Sequence, residues 1–250
     1  MVARREGHPV RKKHRFTLII MSHNNPMALS PRQPLSGRRV RRISGLDRRA
    51  REVRAGKTLR VCTVNVGTFR GRGPEIVDML RRRRADICCI QEVRYKGNRA
   101  NVIRAGDAKY KLFYAGNDRG TGGVGILVKT EMEGNIQQVE RHSDRIITVK
   151  TVWGGSIYHV FSVYAPQAGR SISEKLEFWE KLEDIVSNIP ERDGVVIAGD
   201  LNGHIGSDAR GFEEVMGRHG YGTIDDDGLR ILNFCKNQNL RITNTLFQKD

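Results

Sequence analysis

Four short fragments end an apolar, strand-like run on a residue able to do chemistry: Thr63-Val64-Asn65-Val66, Cys89-Ile90-Gln91-Glu92, Val163-Tyr164-Ala165-Pro166-Gln167 and Ala198-Gly199-Asp200-Leu201-Asn202. Side chains at strand ends can converge at one rim of a sheet sandwich while rigid elements hold them. Glu92 directly follows Ile87-Cys88-Cys89-Ile90-Gln91. A carboxylate there is either a solvated charge where a strand emerges or an oxygen ligand, because Asp and Glu are rarely buried unless paired or metal-bound. Such ligands suit Mg²⁺, which keeps several waters and needs only one or two protein carboxylates beside substrate phosphate oxygens. After the apolar run Val195-Val196-Ile197-Ala198, Gly199 permits a tight exit. Asp200 is then placed to act as general base on a water, and Asn202 to donate to a phosphoryl oxygen as charge develops. An ordinary Asx turn would use the same two residues. Asn65 and Tyr164 are weaker pointers singly, since a strand-end Asn often satisfies backbone groups and a Tyr often packs with its hydroxyl outward.

Other chemistries find little support. His142, His159, His204 and His219 show no paired spacing, and His159, inside an apolar strand, reads as a satisfied core residue. The four cysteines, Cys62, Cys88, Cys89 and Cys235, form no CxxC pair and read as buried thiols of a reducing compartment. Gly120-Thr121-Gly122-Gly123-Val124-Gly125 precedes a strand instead of opening a helix, so it reads as a loop and not as a phosphate cradle.

The elements that must position these residues follow from periodicity. Strands are expected at Leu59–Val64, Ile87–Gln91, Lys111–Tyr114, Val124–Lys129, Ile146–Val152, Ile157–Tyr164, Val195–Ala198 and Leu240–Thr243. Helices are expected at Pro74–Arg83, at Ser173–Ser187 with Ser173 as cap and Leu176, Trp179, Leu182 and Val186 as apolar stripe, and at Leu229–Lys236. So few helices cannot cover a doubly wound parallel sheet, which leaves an α+β sandwich of two sheets with helices outside.

Charge divides the chain. Residues 1–57 hold 16 of the 44 Lys and Arg but only three of the 28 Asp and Glu, and so carry +13 of the net +16. This segment, with Arg38, Arg39, Arg41 and Arg42 as its candidate nucleic-acid contacts, reads as a disordered basic arm before a domain at 58–250. It suits loose attraction to a phosphate backbone through counterion release, and equally a nuclear localisation or targeting patch. Its one apolar run, Phe16–Met21, is too short for a membrane span or a signal-peptide core. An intracellular, nuclear protein with no membrane partner is expected.

Taken in order, Asn65, Gln91-Glu92, Tyr164-Ala165-Pro166-Gln167 and Gly199-Asp200-Leu201-Asn202 resemble the endonuclease/exonuclease/phosphatase superfamily, which includes DNase I and the apurinic/apyrimidinic endonucleases. Thr63–Thr68, Gln91–Gly97, Asp200–Gly206, Glu213–Arg218 and Ile242–Phe247 look closer still to the endonuclease domains of RTE-type non-LTR retrotransposons, a group that takes in craniofacial development protein 2-like chains. The resemblance implies a four-layer α/β/β/α sandwich of two mixed sheets, hydrolysing a phosphodiester with an activated water and Mg²⁺ or Mn²⁺, with DNA as partner and no small-molecule cofactor. It implies Glu92 as principal metal ligand, Asn65 as orienting metal and phosphate, and Tyr164 beside the scissile phosphate. Asp200 would activate water, Asn202 would stabilise the transition state, and Gln167 and Arg170 would contact substrate.

Two departures accompany the match. Gly67 stands where the apurinic/apyrimidinic enzymes carry an acid, which argues against abasic-site repair. The family's final Asp-His element has no counterpart before Asp250, so a domain incomplete at its C-terminus and impaired in activity is expected. A DNA-nicking endonuclease of retrotransposon origin is the leading reading. A noncatalytic nucleic-acid-binding remnant and a phosphoesterase acting on another phosphate ester are the alternatives.

Overall fold

The computed structural model describes residues 17–22 and 58–248. Its first strand, β1 (Thr17–Ser22), is followed by β2 (Val61–Asn65), α1 (Gly73–Arg82), β3 (Ile87–Gln91), β4 (Asn98–Ala105), β5 (Ala108–Ala115) and β6 (Val124–Lys129). Then come β7 (Ile136–Ser143), β8 (Ile146–Trp153), β9 (Ser156–Tyr164), α2 (Ile172–Ser187), β10 (Gly194–Asp200), β11 (Ile205–Gly206), β12 (Tyr221–Ile224), α3 (Asp226–Asn237) and β13 (Leu240–Ile242). Five strands form one sheet in the order β2-β3-β6-β5-β4, and six form a second in the order β13-β1-β10-β9-β8-β7. Strands β11 and β12 make a separate ribbon.

Each large sheet is mixed, with one parallel pair among antiparallel neighbours: β2 with β3 in the first and β9 with β10 in the second. Parallel neighbours need a crossover, and each pair has a helix between its strands, α1 and α2 respectively. Both strands of a pair therefore end at the same edge. Asn65 lies level with Gln91, and Asp200 level with Tyr164.

Strand alternation divides the side chains among three apolar layers. Ile87 and Cys89 of β3 join Val160, Val196 and Ala198 of the other sheet in a core between the sheets. The alternate residues Cys88 and Ile90 pack under α1 with Val77 and Leu80. Phe161, Val163, Val195 and Ile197 pack under α2 and α3 with Phe178, Leu182, Ile231 and Leu232. The result is four layers, helix, sheet, sheet and helices, the DNase I-like α+β sandwich expected from the sequence. Residues on the parity of Cys89 and Ala198, namely Gln91 and Asp200, look into the gap between the sheets.

Several details differ from expectation. Helix α2 begins earlier and is capped by Ser171, not Ser173: Glu174 N donates to Ser171 Oγ at 3.2 Å. Its buried stripe is Lys175, Phe178, Leu182 and Val186, whereas Leu176 is exposed and Trp179 packs only partly. Strands β4 and β7, each at one end of its sheet among the described residues, were missed for want of a sustained apolar run. Strand β4 is largely exposed and β7 is largely polar and half-buried, as edge strands commonly are. Helix α3 starts at Asp226, capped by Asp225, which accepts from Gly228 N at 2.7 Å.

Within the expected disordered arm, Thr17–Ser22 forms a strand antiparallel to both β10 and β13. A six-residue apolar run too short for a membrane is long enough for a sheet. Ile19 N donates to Asn244 Oδ1 at 2.7 Å, and Thr243 Oγ1 donates to Ile19 O at 2.8 Å. The remainder of 1–57, including Arg38, Arg39, Arg41 and Arg42, lies outside the described residues. No helix among the described residues is long and apolar enough to cross a membrane.

Cys88, Cys89 and Cys235 are buried free thiols, and Cys62 is half-buried. His159 meets its need within the core, its Nε2 lying 3.0 Å from Asp193 Oδ2.

Gly199 is a strand residue and not the start of a turn, and its small size serves a close approach. A Cβ there would fall 2.0 Å from the carbonyl oxygen of Val163 on β9, a backbone atom that cannot move aside. Gly199→Ala is expected to lower the unfolding free energy by about 3 kcal/mol or more, measured by urea denaturation. A variant as stable as the parent would show that the β9–β10 spacing is wider than described.

Candidate active site

The ends of the two parallel pairs face each other across the gap, and one amide ties them together. Asn65 Nδ2 donates to Glu92 Oε1 at 3.1 Å and to Asp200 Oδ2 at 2.9 Å. Its Oδ1 accepts from Gly67 N at 3.0 Å, which fixes the orientation of the amide. Tyr164 Oη donates to the same Glu92 Oε1 at 3.1 Å, and Gln167 Nε2 donates to Tyr164 Oη at 3.1 Å. Five of the sequence-derived residues, contributed by both sheets, are thus joined in one network.

Behind them Gln91, fully buried, makes a second tie between the sheets. Its Nε2 donates to Thr63 Oγ1 at 3.2 Å and to Ser162 Oγ at 3.2 Å, while Ser162 Oγ donates to Ile90 O at 3.1 Å. Buried polar groups need such partners.

Glu92 and Asp200 are only 4% and 3% exposed, unusual for carboxylates unless positive charge or hydrogen-bond donors compensate. Arg94 supplies part of this, with Nη2 2.9 Å from Glu92 Oε2. Glu92 and Arg94 both adopt left-handed backbone conformations, with φ of 60° and 54°. Such conformations cost energy in non-glycine residues and cluster at functional sites. The segment is clamped in this form by Val93 N to Gly123 O at 3.3 Å and Arg94 N to Gly122 O at 2.8 Å. The glycine-rich loop read from sequence as a plain approach to a strand is therefore also one wall of the site.

Burial, and then the nearby Glu92 charge, raise the Tyr164 phenol above its ordinary range, which keeps it a proton donor at neutral pH. Arg145 lies behind it, with its guanidinium 5.7 Å from the Tyr164 ring centroid. Arg145 Nη1 donates to Tyr164 O at 3.2 Å, and Nη2 donates to Glu174 Oε1 at 2.8 Å.

Asn202 sits differently from the role implied for it. Its main-chain N donates to Asp200 Oδ1 at 3.2 Å, and its side-chain amide donates to Ala165 O at 2.7 Å. In this arrangement it orients Asp200 and braces the turn after Tyr164. Its φ of 50° completes the Asx geometry that the sequence allowed. Asp200 itself is buried in the seam, so the turn and the chemical site are one feature.

The network opens into a cleft of about 510 Å³ lined by Glu92, Tyr164, Gln167 and Arg170 among others. Arg170, exposed, stands 4.0 Å from Glu174 at the rim. Arg94, Arg119 and Arg145 also line it, and none of the three received a role from the sequence. Arg94 lay inside the quoted Gln91–Gly97 motif and could have been singled out. Arg145, in the β8 approach, carried no local signal.

The seam offers hard oxygens only: the Glu92 and Asp200 carboxylates and the Asn65 amide oxygen. That donor type fits Mg²⁺ and not the nitrogen and sulfur preferred by Zn²⁺. No group of three or more His, Cys, Asp and Glu placed to hold a metal occurs among the described residues. An ion here would depend on water and substrate oxygens to complete its shell, as Mg²⁺ commonly does.

The chain is 30% identical over 165 residues to craniofacial development protein 2 of Bos taurus, an alignment covering 66% of this chain and 27% of that protein. It thus spans about a quarter of the length of the curated relatives it matches. Among solved structures it is similar to the endonuclease domain of TRAS1, a telomere-specific non-LTR retrotransposon, with a TM-score of 0.49, 16% identity and 72% of each chain covered. It is also similar to an AP endonuclease from Archaeoglobus fulgidus, with a TM-score of 0.47, 19% identity, and 72% and 70% covered. The model of the endonuclease/exonuclease/phosphatase family matches residues 62–242, which takes in Asn65, Glu92, Tyr164 and Asp200 alike; the chain belongs to that family.

Proposed function

We propose that this chain is a divalent-metal-dependent phosphodiesterase domain, of retrotransposon origin, that nicks DNA. The observation that carries the reading is the convergence of two buried carboxylates, Glu92 and Asp200, on the single amide of Asn65, with the Tyr164 hydroxyl on Glu92. A structural role alone would not favour leaving two carboxylates so close in a nearly closed place, where each costs desolvation.

Glu92 and the amide oxygen of Asn65 are the residues that would hold Mg²⁺, or Mn²⁺ in its place. When bound, such an ion offsets charge on the phosphoryl oxygens. Asp200 is held by Asn65 Nδ2 on one oxygen and by Asn202 N on the other. From that position it accepts a proton from the attacking water. Tyr164, protonated and steered by Gln167, donates toward a phosphoryl oxygen. Arg170 at the rim provides a guanidinium for a neighbouring phosphate.

DNA as the polyanion rests on the motif resemblance and on the basic arm. Arm-driven binding releases counterions and so weakens steeply with salt. A nuclear location follows from the same reading and is part of the proposal.

Incubating the full chain with supercoiled plasmid tests the reading. Nicking is expected with Mg²⁺ or Mn²⁺, to disappear with EDTA, and to fall about 100-fold or more in Glu92→Ala and Asp200→Ala. Plasmid retained in a salt-sensitive complex yet uncut under every metal condition would replace the enzyme with a binding module. Nicking by Asp200→Ala at the parental rate would overturn the assignment of the base.

The raised Tyr164 phenol gives a pH prediction. Its folded-state value lies above the ordinary tyrosine value near 10. The stability it contributes is therefore present below about pH 10 and lost as pH rises through the folded value. Burial also raises Tyr95 and Tyr110, the latter to about 12, so alkaline absorbance titration should show several late-titrating phenols, of which Tyr164→Phe removes one. A difference spectrum in which the missing phenol titrates at or below 10 would contradict the buried, Glu92-facing placement.

A further inference from the structure

Glu92 spends its two oxygens differently. Oε1 is turned into the seam, where it accepts from Asn65 Nδ2 and Tyr164 Oη. Oε2 accepts from Arg94 Nη2 at 2.9 Å. A guanidinium on that oxygen stands where a cation bound to Glu92 would compete for charge.

The Arg94 side chain is also built to leave. Its main chain is fixed at both ends, by its own N–H to Gly122 O at 2.8 Å and by Arg70 Nε donating to its carbonyl at 2.9 Å. Its side chain is 49% exposed against 6% for Glu92. Release of the guanidinium therefore costs no backbone rearrangement, and the charge it leaves on buried Glu92 is offset only if another cation takes its place. Arg145 makes a useful contrast. It is 23% exposed, bonded to Tyr164 O and paired with Glu174, and so is held in place. Both arginines line the same cleft as Arg170. Within it a phosphate offers the planar, bidentate partner that a guanidinium prefers to a single carboxylate oxygen.

We propose that Arg94 is an exchangeable gate on the metal position. Its guanidinium rests on Glu92 Oε2 until a phosphate of the nucleic-acid strand in the cleft draws it away. Glu92 then loses a competing positive charge, which favours a divalent cation beside it. The gate rests on the metal-dependent reading given above and adds an order to it: substrate phosphate first, tight cation binding second. Because linkage is reciprocal, cation and strand each tighten the other through Arg94.

Mn²⁺ binding to the full chain, followed by the electron paramagnetic resonance signal of the free ion, tests this without reference to turnover. A short duplex carrying phosphorothioate linkages serves as probe. In the parent, the duplex is expected to tighten Mn²⁺ binding about five- to tenfold. Arg94→Ala should bind Mn²⁺ roughly threefold tighter or more without duplex, the scale of one released, partly exposed ion pair. It should also gain less from the duplex than the parent does. Arg94→Gln, which keeps the main-chain contacts and most of the stem, should behave alike and serves if Arg94→Ala fails to fold. Either variant binding Mn²⁺ no tighter than the parent, or gaining as much from the duplex, would overturn the gate. Failure of the underlying reading looks different: Glu92→Ala would then bind Mn²⁺ as well as the parent.

Discussion

One side-chain amide sits where everything else in the site meets. Asn65 Nδ2 reaches Glu92 at the end of β3 and Asp200 at the end of β10, and these strands belong to opposite sheets. The bridge exists only if three conditions hold together. The two parallel pairs must end at the same edge, their registers must bring Asn65 level with Gln91 and Asp200 level with Tyr164, and strand parity must turn these residues inward. A slip of one residue in either sheet would point the whole set outward. The crossover helices α1 and α2 secure the first condition, and the apolar alternation of β3 and β10 secures the other two.

Energy explains why the seam is polar only at this end. Further from the site the gap is filled by Ile87, Ile126, Val160, Val196 and other apolar side chains, whose burial drives the sheets together. Toward the site this gives way to Gln91 with Thr63 and Ser162, then to Asn65, Glu92, Tyr164 and Asp200. A satisfied hydrogen bond adds only about 1 kcal/mol net, whereas an orphaned buried group costs about 1–3 kcal/mol. The polar seam therefore contributes little stability and a strong preference for one arrangement. The left-handed backbone at Glu92, Arg94 and Asn202 is a local cost borne by the surrounding fold.

Much of this architecture was legible in the residues. The core strands β3 and β6 matched their apolar runs to the residue, because strands buried on both faces leave continuous apolar signatures. The edge strands β4 and β7 left none, since a strand paired on one side and wet on the other needs no apolar face. Strand β1 was hidden by the charge around it. Thr17–Ser22 shares a segment with 16 basic residues, and composition over that window masks six residues of strand. Within the site, Asn65, Glu92, Tyr164, Gln167 and Asp200 were legible because each ends or follows a strand. The partnerships were not legible. That Arg94 would turn back onto Glu92, or that the Asn202 amide would serve Ala165, depends on two left-handed residues in a row of turns and on the approach of a glycine loop from another strand.

The central claim is electrostatic: Asn65 is an amide because it must donate to two carboxylates at the meeting of the sheets. Asn65→Asp keeps the size of the side chain and exchanges the donor for a third negative charge. Thermal unfolding of that variant, with and without Mg²⁺, is the most direct test. The account predicts a lower Tm than the parent in EDTA and a larger rise on adding Mg²⁺ than the parent shows, as the cation offsets the added charge. A variant as stable as the parent in EDTA, and indifferent to Mg²⁺, would contradict it.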